Sequence, residues 1–191
     1  MSTEEVFRRV IGALDQAGIP YMLTGSFASG YHSSPRATQD IDLVIAPTSE
    51  QVRKLASLLP ASDFYFDEEA ALSALRRQRQ FNVIDLASGW KVDLIVRKSR
   101  PFSVLEFERR READFLGLRM VIASAEDVLL AKLEWSKQGG SLRQIEDAAG
   151  ILRIREDRLD LEYILNWVRE LGLGEQWAAA CRMAGARPES R

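Results

Sequence analysis

The sequence predicts an α+β fold, with strands and helices mixed over residues 1–123 and helices alone over 124–185. Two observations predict it. Short apolar runs such as "YMLTG", "DIDLVIA" and "KVDLIV" occur only in the first part, bounded by turn residues and separated by segments with helical apolar spacing. From Ser124 onward, "SAEDVLLAKLEWSKQ", "SLRQIEDAAGILR", "LDLEYILNWVRELG" and "GEQWAAACRMA" all carry the helical period. The split suits one catalytic-sized domain with a helical region packed on it, and residues 186–191 read as a disordered tail.

Taken in order, Val6, Phe7, Val10, Ile11 and Leu14 place a helix at the start, with Ser2 and Glu5 as a capping box and Gly18 as its stop. "YMLTG" (21–25) is a short buried strand, and "SFASGYH" a brief helix starting at Ser26. "DIDLVIA" (40–46) alternates and then turns wholly apolar, as a strand running into a core does. A helix over 49–59 is capped by Thr48 or Ser49 and ends before Pro60, and a further helix is expected over 67–79. Strands over 81–87 and 91–96 are joined by "SGW", a hairpin signal. Another strand is expected over 115–123, with Gly117 a turn candidate inside it. Ser124 caps the first C-terminal helix, with Glu126 and Asp127 in its first turn, and Gly139–Gly140 ends that helix. Trp135, Trp167 and Trp177 stand at helical spacing with Leu and Ile and are expected in the core.

Composition narrows the function classes. At 46% apolar and 28% charged residues the chain reads as a soluble globular protein. A net charge of −2 argues against holding nucleic acid by overall charge. Cys181 is the single cysteine, which excludes an internal disulfide framework and fits a reducing cytoplasm. With His32 the single histidine, a zinc site lacks ligands, and His32 itself is expected as a packing or surface residue. The N-terminus lacks the secretory pattern and no stretch has transmembrane length, so a cytoplasmic protein without a membrane partner is expected.

The chemistry concentrates in "LTGSFASGYHSSPRATQDIDLVI". On a strand, Asp40 and Asp42 project from one face while Ile41 and Leu43 enter the core. Adjacent carboxylates repel unless a cation lies between them, and hard divalent ions prefer carboxylate oxygens. Asp93, in "KVDLIV", would bring a third carboxylate if its strand lay beside the first, a set suited to metal-assisted displacement at phosphorus. Gly25 permits close backbone approach, and Ser26 opens a helix whose free amides can face an anion. Arg36 could contact a triphosphate or pair with Asp40 or another acid; Lys132 could reach phosphates or extend its stem across the core toward solvent.

This arrangement resembles the signature of the polymerase-beta-type nucleotidyltransferase superfamily: apolar-Gly-Ser, a gap of this length, Asp-apolar-Asp-apolar, then a third Asp on a later strand. "PRATQDID" is similar to small bacterial nucleotidyltransferase-like proteins related to AbiEii-type toxins. The helices add an echo, with Lys132, Arg143 and Asp147 on family positions and Gln144 where the family often has Asp. The resemblance implies a small mixed sheet flanked by helices, and transfer of a nucleoside monophosphate from a nucleoside triphosphate to an acceptor hydroxyl with release of pyrophosphate. It implies Asp40, Asp42 and Asp93 as catalytic and metal residues for Mg²⁺ or Mn²⁺. Gly25, Ser26, Arg36 and Lys132 would bind the nucleotide. Acceptors in view are tRNA or a protein, and an antitoxin-type protein is a further expected partner. The alternative is a non-catalytic nucleotide- or partner-binding relative, such as a toxin–antitoxin component. A phosphatase with an Asp-x-Asp nucleophile fits less well, because "DIDLVIAP" continues as strand. Finally, residues 76–120 carry eleven Lys or Arg against six acids, a net of +5 that suits a nucleic-acid acceptor or a solvated basic face.

Overall fold

The computed structural model describes residues 3–155 and 158–186, so Ser2 of the expected capping box and all but Ala186 of the expected tail lie outside the described residues. Two compact units emerge: Met1–Thr24 with Ala37–Ile122, and Gly25–Arg36 with Ala123–Arg191. Relative to a division at residue 123, the segment 25–36 groups with the C-terminal helices, because it forms a helix that packs on two of them. No described helix is long and apolar enough to cross a membrane.

The first unit is built on a seven-stranded mixed sheet. Its strands are β1 (Tyr21–Thr24), β2 (Asp40–Ile45), β3 (Phe64–Tyr65), β4 (Gln80–Asp85), β5 (Lys91–Val96), β6 (Arg111–Phe115) and β7 (Leu118–Ile122), in the order β3-β4-β5-β2-β1-β7-β6. β2 runs parallel to β5 and antiparallel to β1, while β7 pairs parallel with β1. Alternation decides the faces. Ile41, Leu43 and Ile45 of β2 are buried, as are Val92, Leu94 and Val96 of β5 and Phe81 and Val83 of β4. Leu23, Leu43 and Leu94 are fully buried in adjacent strands, and each contributes about 2 kcal/mol of apolar burial.

Helices α1 (Thr3–Ala17), α3 (Ser49–Leu58), α4 (Glu68–Arg77) and α5 (Pro101–Glu108) complete this unit. α1 buries Val6, Phe7, Val10 and Leu14, the stripe its sequence spacing sets, and Phe7 meets Phe115 edge to face. Thr48 caps α3 through a full capping box with Gln51. Where one strand was expected over 115–123, there is instead the hairpin β6–β7. Leu116 and Gly117 form its turn at φ 50° and 71°, the left-handed backbone a two-residue hairpin turn requires.

The second unit is helical: α2 (Gly25–His32), α6 (Ala125–Gly139), α7 (Leu142–Arg155), α8 (Leu161–Glu170) and α9 (Gly174–Ala184). α2 packs against α6 and α7, and α7 against α9. Ser124 caps α6 by accepting from the Asp127 amide and donates its hydroxyl to the Asp127 carboxylate, which also accepts from Tyr163 at 2.6 Å. Trp177 is buried as expected, but Trp135 is 54% exposed. The buried side of α6 is taken instead by Val128, Leu129, Leu130, Leu133 and three polar residues, Asp127, Lys132 and Ser136, of which Asp127 is bonded by Tyr163 and Lys132 pairs with Asp147.

Candidate active site

In the first unit the in-and-out rhythm of β2 and β5 builds a polar face. With Ile41 and Leu43 turned to the core, Asp40 and Asp42 stand on the opposite side. The parallel register sets Asp40 beside Lys91 and Asp42 beside Asp93. Register partners in neighbouring strands share a face. Extending the row through β1 and β4 adds Thr24 beside Asp42 and Asn82 beside Asp93. Four adjacent strands thus carry Thr24, Asp42, Asp93 and Asn82 across one polar line.

Lys91 joins the carboxylates. Its Nζ lies 2.9 Å from Asp93 Oδ2 and 3.4 Å from Asp40 Oδ1. The hydrogen bond to Asp93, helped by the negative charges of Asp93 and Asp40, outweighs the opposing effect of burial and holds its proton more tightly than in an ordinary lysine. One cationic centre thus reaches carboxylate oxygens from two strands, Asp40 on β2 and Asp93 on β5. An all-oxygen donor set of this kind matches hard ions such as Mg²⁺ or Mn²⁺ rather than zinc. Among the described residues no three His, Cys, Asp or Glu side chains are drawn together as a metal site; the ammonium joins Asp40 and Asp93.

The second unit holds the other sequence-selected residues. Gly25, at φ 66°, opens α2 one residue earlier than expected, with no acid in its first turn. Ser26 Oγ accepts from Arg36, whose guanidinium also grips Asp147, with Nε 3.1 Å from Oδ1 and Nη2 3.2 Å from Oδ2. Lys132 Nζ meets Asp147 Oδ2 at 2.7 Å, and its side chain is only 5% exposed. The expectation that Lys132 extends its stem to solvent is therefore corrected: a buried carboxylate gives the ammonium an internal partner. Arg36 pairs with an acid, as one alternative held, but that acid is Asp147 rather than Asp40. Burial alone would raise the Asp147 pKa; hydrogen bonds from Arg36 and Lys132 outweigh it and hold the carboxyl below the usual range. Gln144, one turn earlier on α7, has a buried Oε1 with no hydrogen-bond partner among the described residues, and Arg143 is exposed. His32 packs, with Nε2 2.8 Å from the Ala123 carbonyl and its ring edge to face with Tyr31.

Two contributors escaped sequence reasoning. Lys91 carried a usable signal, since it stands two residues before Asp93 and so on the same strand face. Asn82 carried none, because its place depends on a strand pairing that sequence does not encode locally. Six of the eleven basic residues of 76–120 share one place. Arg79 accepts from the Val96 amide and Gln78 from Ser99, which sets Arg76, Arg77 and Arg79 beside Arg97, Lys98 and Arg100. That is the far end of β5 from Lys91 and Asp93.

No family model and no curated protein sequence matches the chain. Solved structures do. The structure of ANT(2")-Ia in complex with adenylyl-2"-tobramycin matches with a TM-score of 0.60 at 13% identity, over 90% of this chain and 98% of that one. The fold is that of a nucleotidyltransferase. An antigenic nucleotidyltransferase-like protein from Paracoccidioides brasiliensis shares this nucleotidyltransferase fold with a TM-score of 0.55 at 19% identity, over 94% of both chains. The lincomycin-bound lincosamide antibiotic adenylyltransferase LnuA shares it with a TM-score of 0.53 at 12% identity, over 81% of this chain and 98% of that one.

Proposed function

We propose that the chain is a metal-dependent nucleotidyltransferase that moves a nucleoside monophosphate from a nucleoside triphosphate to an acceptor hydroxyl. The observation that carries this is the register of β2 and β5, which sets Asp42 beside Asp93 on one face of a nucleotidyltransferase fold, with Asp40 on the same side. Asp40, Asp42 and Asp93 would hold Mg²⁺ or Mn²⁺, which when bound neutralises phosphate charge. The free amides at Gly25–Ser26 suit phosphate oxygens, and Arg36 and Lys132 contribute positive charge. Asp93 would orient the acceptor hydroxyl and take up its proton as the oxygen bonds to the α-phosphorus. The bond from that phosphorus to the bridging oxygen breaks, and pyrophosphate leaves. Such chemistry is mostly positioning and charge neutralisation, which this set of acids and amides supplies without a histidine base.

A nucleotide- or partner-binding relative without turnover is the second reading. It is favoured by the commitment of Arg36 and Lys132 to Asp147. Incubation with each α-labelled triphosphate and Mg²⁺ or Mn²⁺ separates the two. The acceptor pools are total RNA, protein lysate, and hydroxyl-bearing antibiotics of the tobramycin and lincomycin types that two neighbours bind. Label entering one pool with the native chain but not with Asp42→Asn supports transfer. Triphosphate binding with label in no pool favours the second reading.

A further inference from the structure

We propose that Lys91 is a built-in counter-ion of the carboxylate row, holding Asp40 and Asp93 in the place of a divalent ion and leaving when that ion binds. The inference rests on the metal reading above and adds a residue to it. Its basis is geometric. Asp40 and Lys91 are register partners on β2 and β5, and Asp93 lies two residues on from Lys91 along the same face. The single ammonium therefore meets both acids, at 3.4 and 2.9 Å.

Competition follows from the shared oxygens. Asp93 Oδ2, with a side chain only 11% exposed, has little open surface from which to take a second cation while Nζ stands against it. An ion held by Asp93 needs oxygens at about 2.0–2.6 Å and brings two positive charges, so an ammonium at hydrogen-bond distance from the same oxygen is repelled. The Lys91 side chain is 37% exposed, which gives the ammonium water to move into. Pairs this exposed are cheap to break, in contrast to fully buried ones. Without the lysine, Asp93 would stand beside its register neighbour Asp42 and lose the ammonium that now joins it to Asp40. Lys91 thus offsets part of the repulsion among these carboxylates before the ion arrives.

The test compares Mn²⁺ binding by the native chain with Lys91→Met and Lys91→Arg, by calorimetry and by the electron paramagnetic resonance of free Mn²⁺. Lys91→Met keeps the stem and removes the charge, and should bind Mn²⁺ about fivefold more tightly, the size that partly exposed pairs support. Lys91→Arg keeps the charge and should bind no better than the native chain. As a measurement free of any variant, amine acylation of Lys91 in the native chain, followed by mass spectrometry, should rise several-fold when Mn²⁺ is added. Equal Mn²⁺ affinity in the native and Met forms, or Lys91 acylation that Mn²⁺ leaves unchanged, overturns the counter-ion role while leaving the metal reading standing. Absence of Mn²⁺ binding in every form overturns both.

Discussion

Asp147 pairs with two cations in the helical unit, and its replacement by Asn tests the electrostatic account of that unit. The side chain is 9% exposed and is bonded by Lys132, at 5% exposure, and by Arg36, at 30%. Asn keeps the shape and removes the charge, so Lys132 is left buried against a neutral amide. Breaking a buried pair from one side costs about 3–5 kcal/mol, and the partial exposure of Arg36 screens its share, which puts the expected loss near 3 kcal/mol. For a chain of this size that is a fall in Tm of about 6–12 °C. The pH dependence has a fixed sign. Burial pushes the Asp147 carboxyl up, but hydrogen bonds from Arg36 and Lys132 bring it below its ordinary value. A depressed folded pKa stabilises the native chain fully above the unfolded value of about 4, and that contribution fades as pH falls through the folded value. Urea unfolding at several pH values should show a gap between native and variant that is level from about pH 5 to 8 and narrows below about 4. Adding Lys132→Met to Asp147→Asn removes the orphaned charge and should recover about 1–2 kcal/mol. A gap under about 1 kcal/mol at pH 7, or one that widens toward acid, refutes the reasoning.

Three further outcomes follow from particular residues. Asp42→Asn should lower nucleotidyl transfer at least about a hundredfold while Tm stays within about 2 °C, since the side chain stands on the polar face and takes no part in core packing; full activity in the variant would sink the catalytic role. Burial pushes the Cys181 thiol up to about 11, so at pH 8 only about one thiol in a thousand is ionised; labelling by iodoacetamide should be slow in the native chain and fast in urea, and equal rates would contradict the burial. Leu116→Asn, at an exposed turn position with φ 50°, should raise stability by about 0.5–1 kcal/mol in urea unfolding, because Asn tolerates the left-handed backbone better; a loss of stability would show that the Leu116 side chain contributes packing that outweighs its backbone strain.

What the sequence disclosed follows from which signals are local. β2 was legible because its alternation writes the two faces into successive residues, and the four C-terminal helices because their apolar spacing repeats over several turns. β6 was missed because "READF" is an edge strand with no buried residue, so it carries no hydrophobic alternation. α5 was missed because "PFSVLEFE" is short and apolar around much of its circumference, leaving Pro101 at its start as the single cue. Trp135 was misplaced for a physical reason: the buried face of α6 takes Lys132 and Ser136, and an amphipathic reading sends such residues outward. The same limit governs the site. The side on which Asp40 and Asp42 stand is written in β2 itself, whereas the pairing of Arg36 with Asp147 joins residues 111 apart and depends on helix packing.

The two lysine–carboxylate contacts differ in a way that separates their roles. Lys132 and Asp147 are both nearly sealed from water, so pulling Lys132 away breaks a buried pair, at a cost of several kcal/mol, even though Arg36 stays on Asp147. Lys132 is therefore a fixed cation, and any ligand that required it to swing free would have to supply that energy from its own contacts. Lys91 is the opposite case. Its side chain is 37% exposed, so although Asp93 is only 11% exposed the departing ammonium re-enters water, and an arriving divalent ion replaces it as the partner of Asp93. Burial, rather than distance or partner type, is what distinguishes a fixed cation from an exchangeable one. It follows that substitutions at Lys132 should register first in stability, and substitutions at Lys91 first in metal affinity.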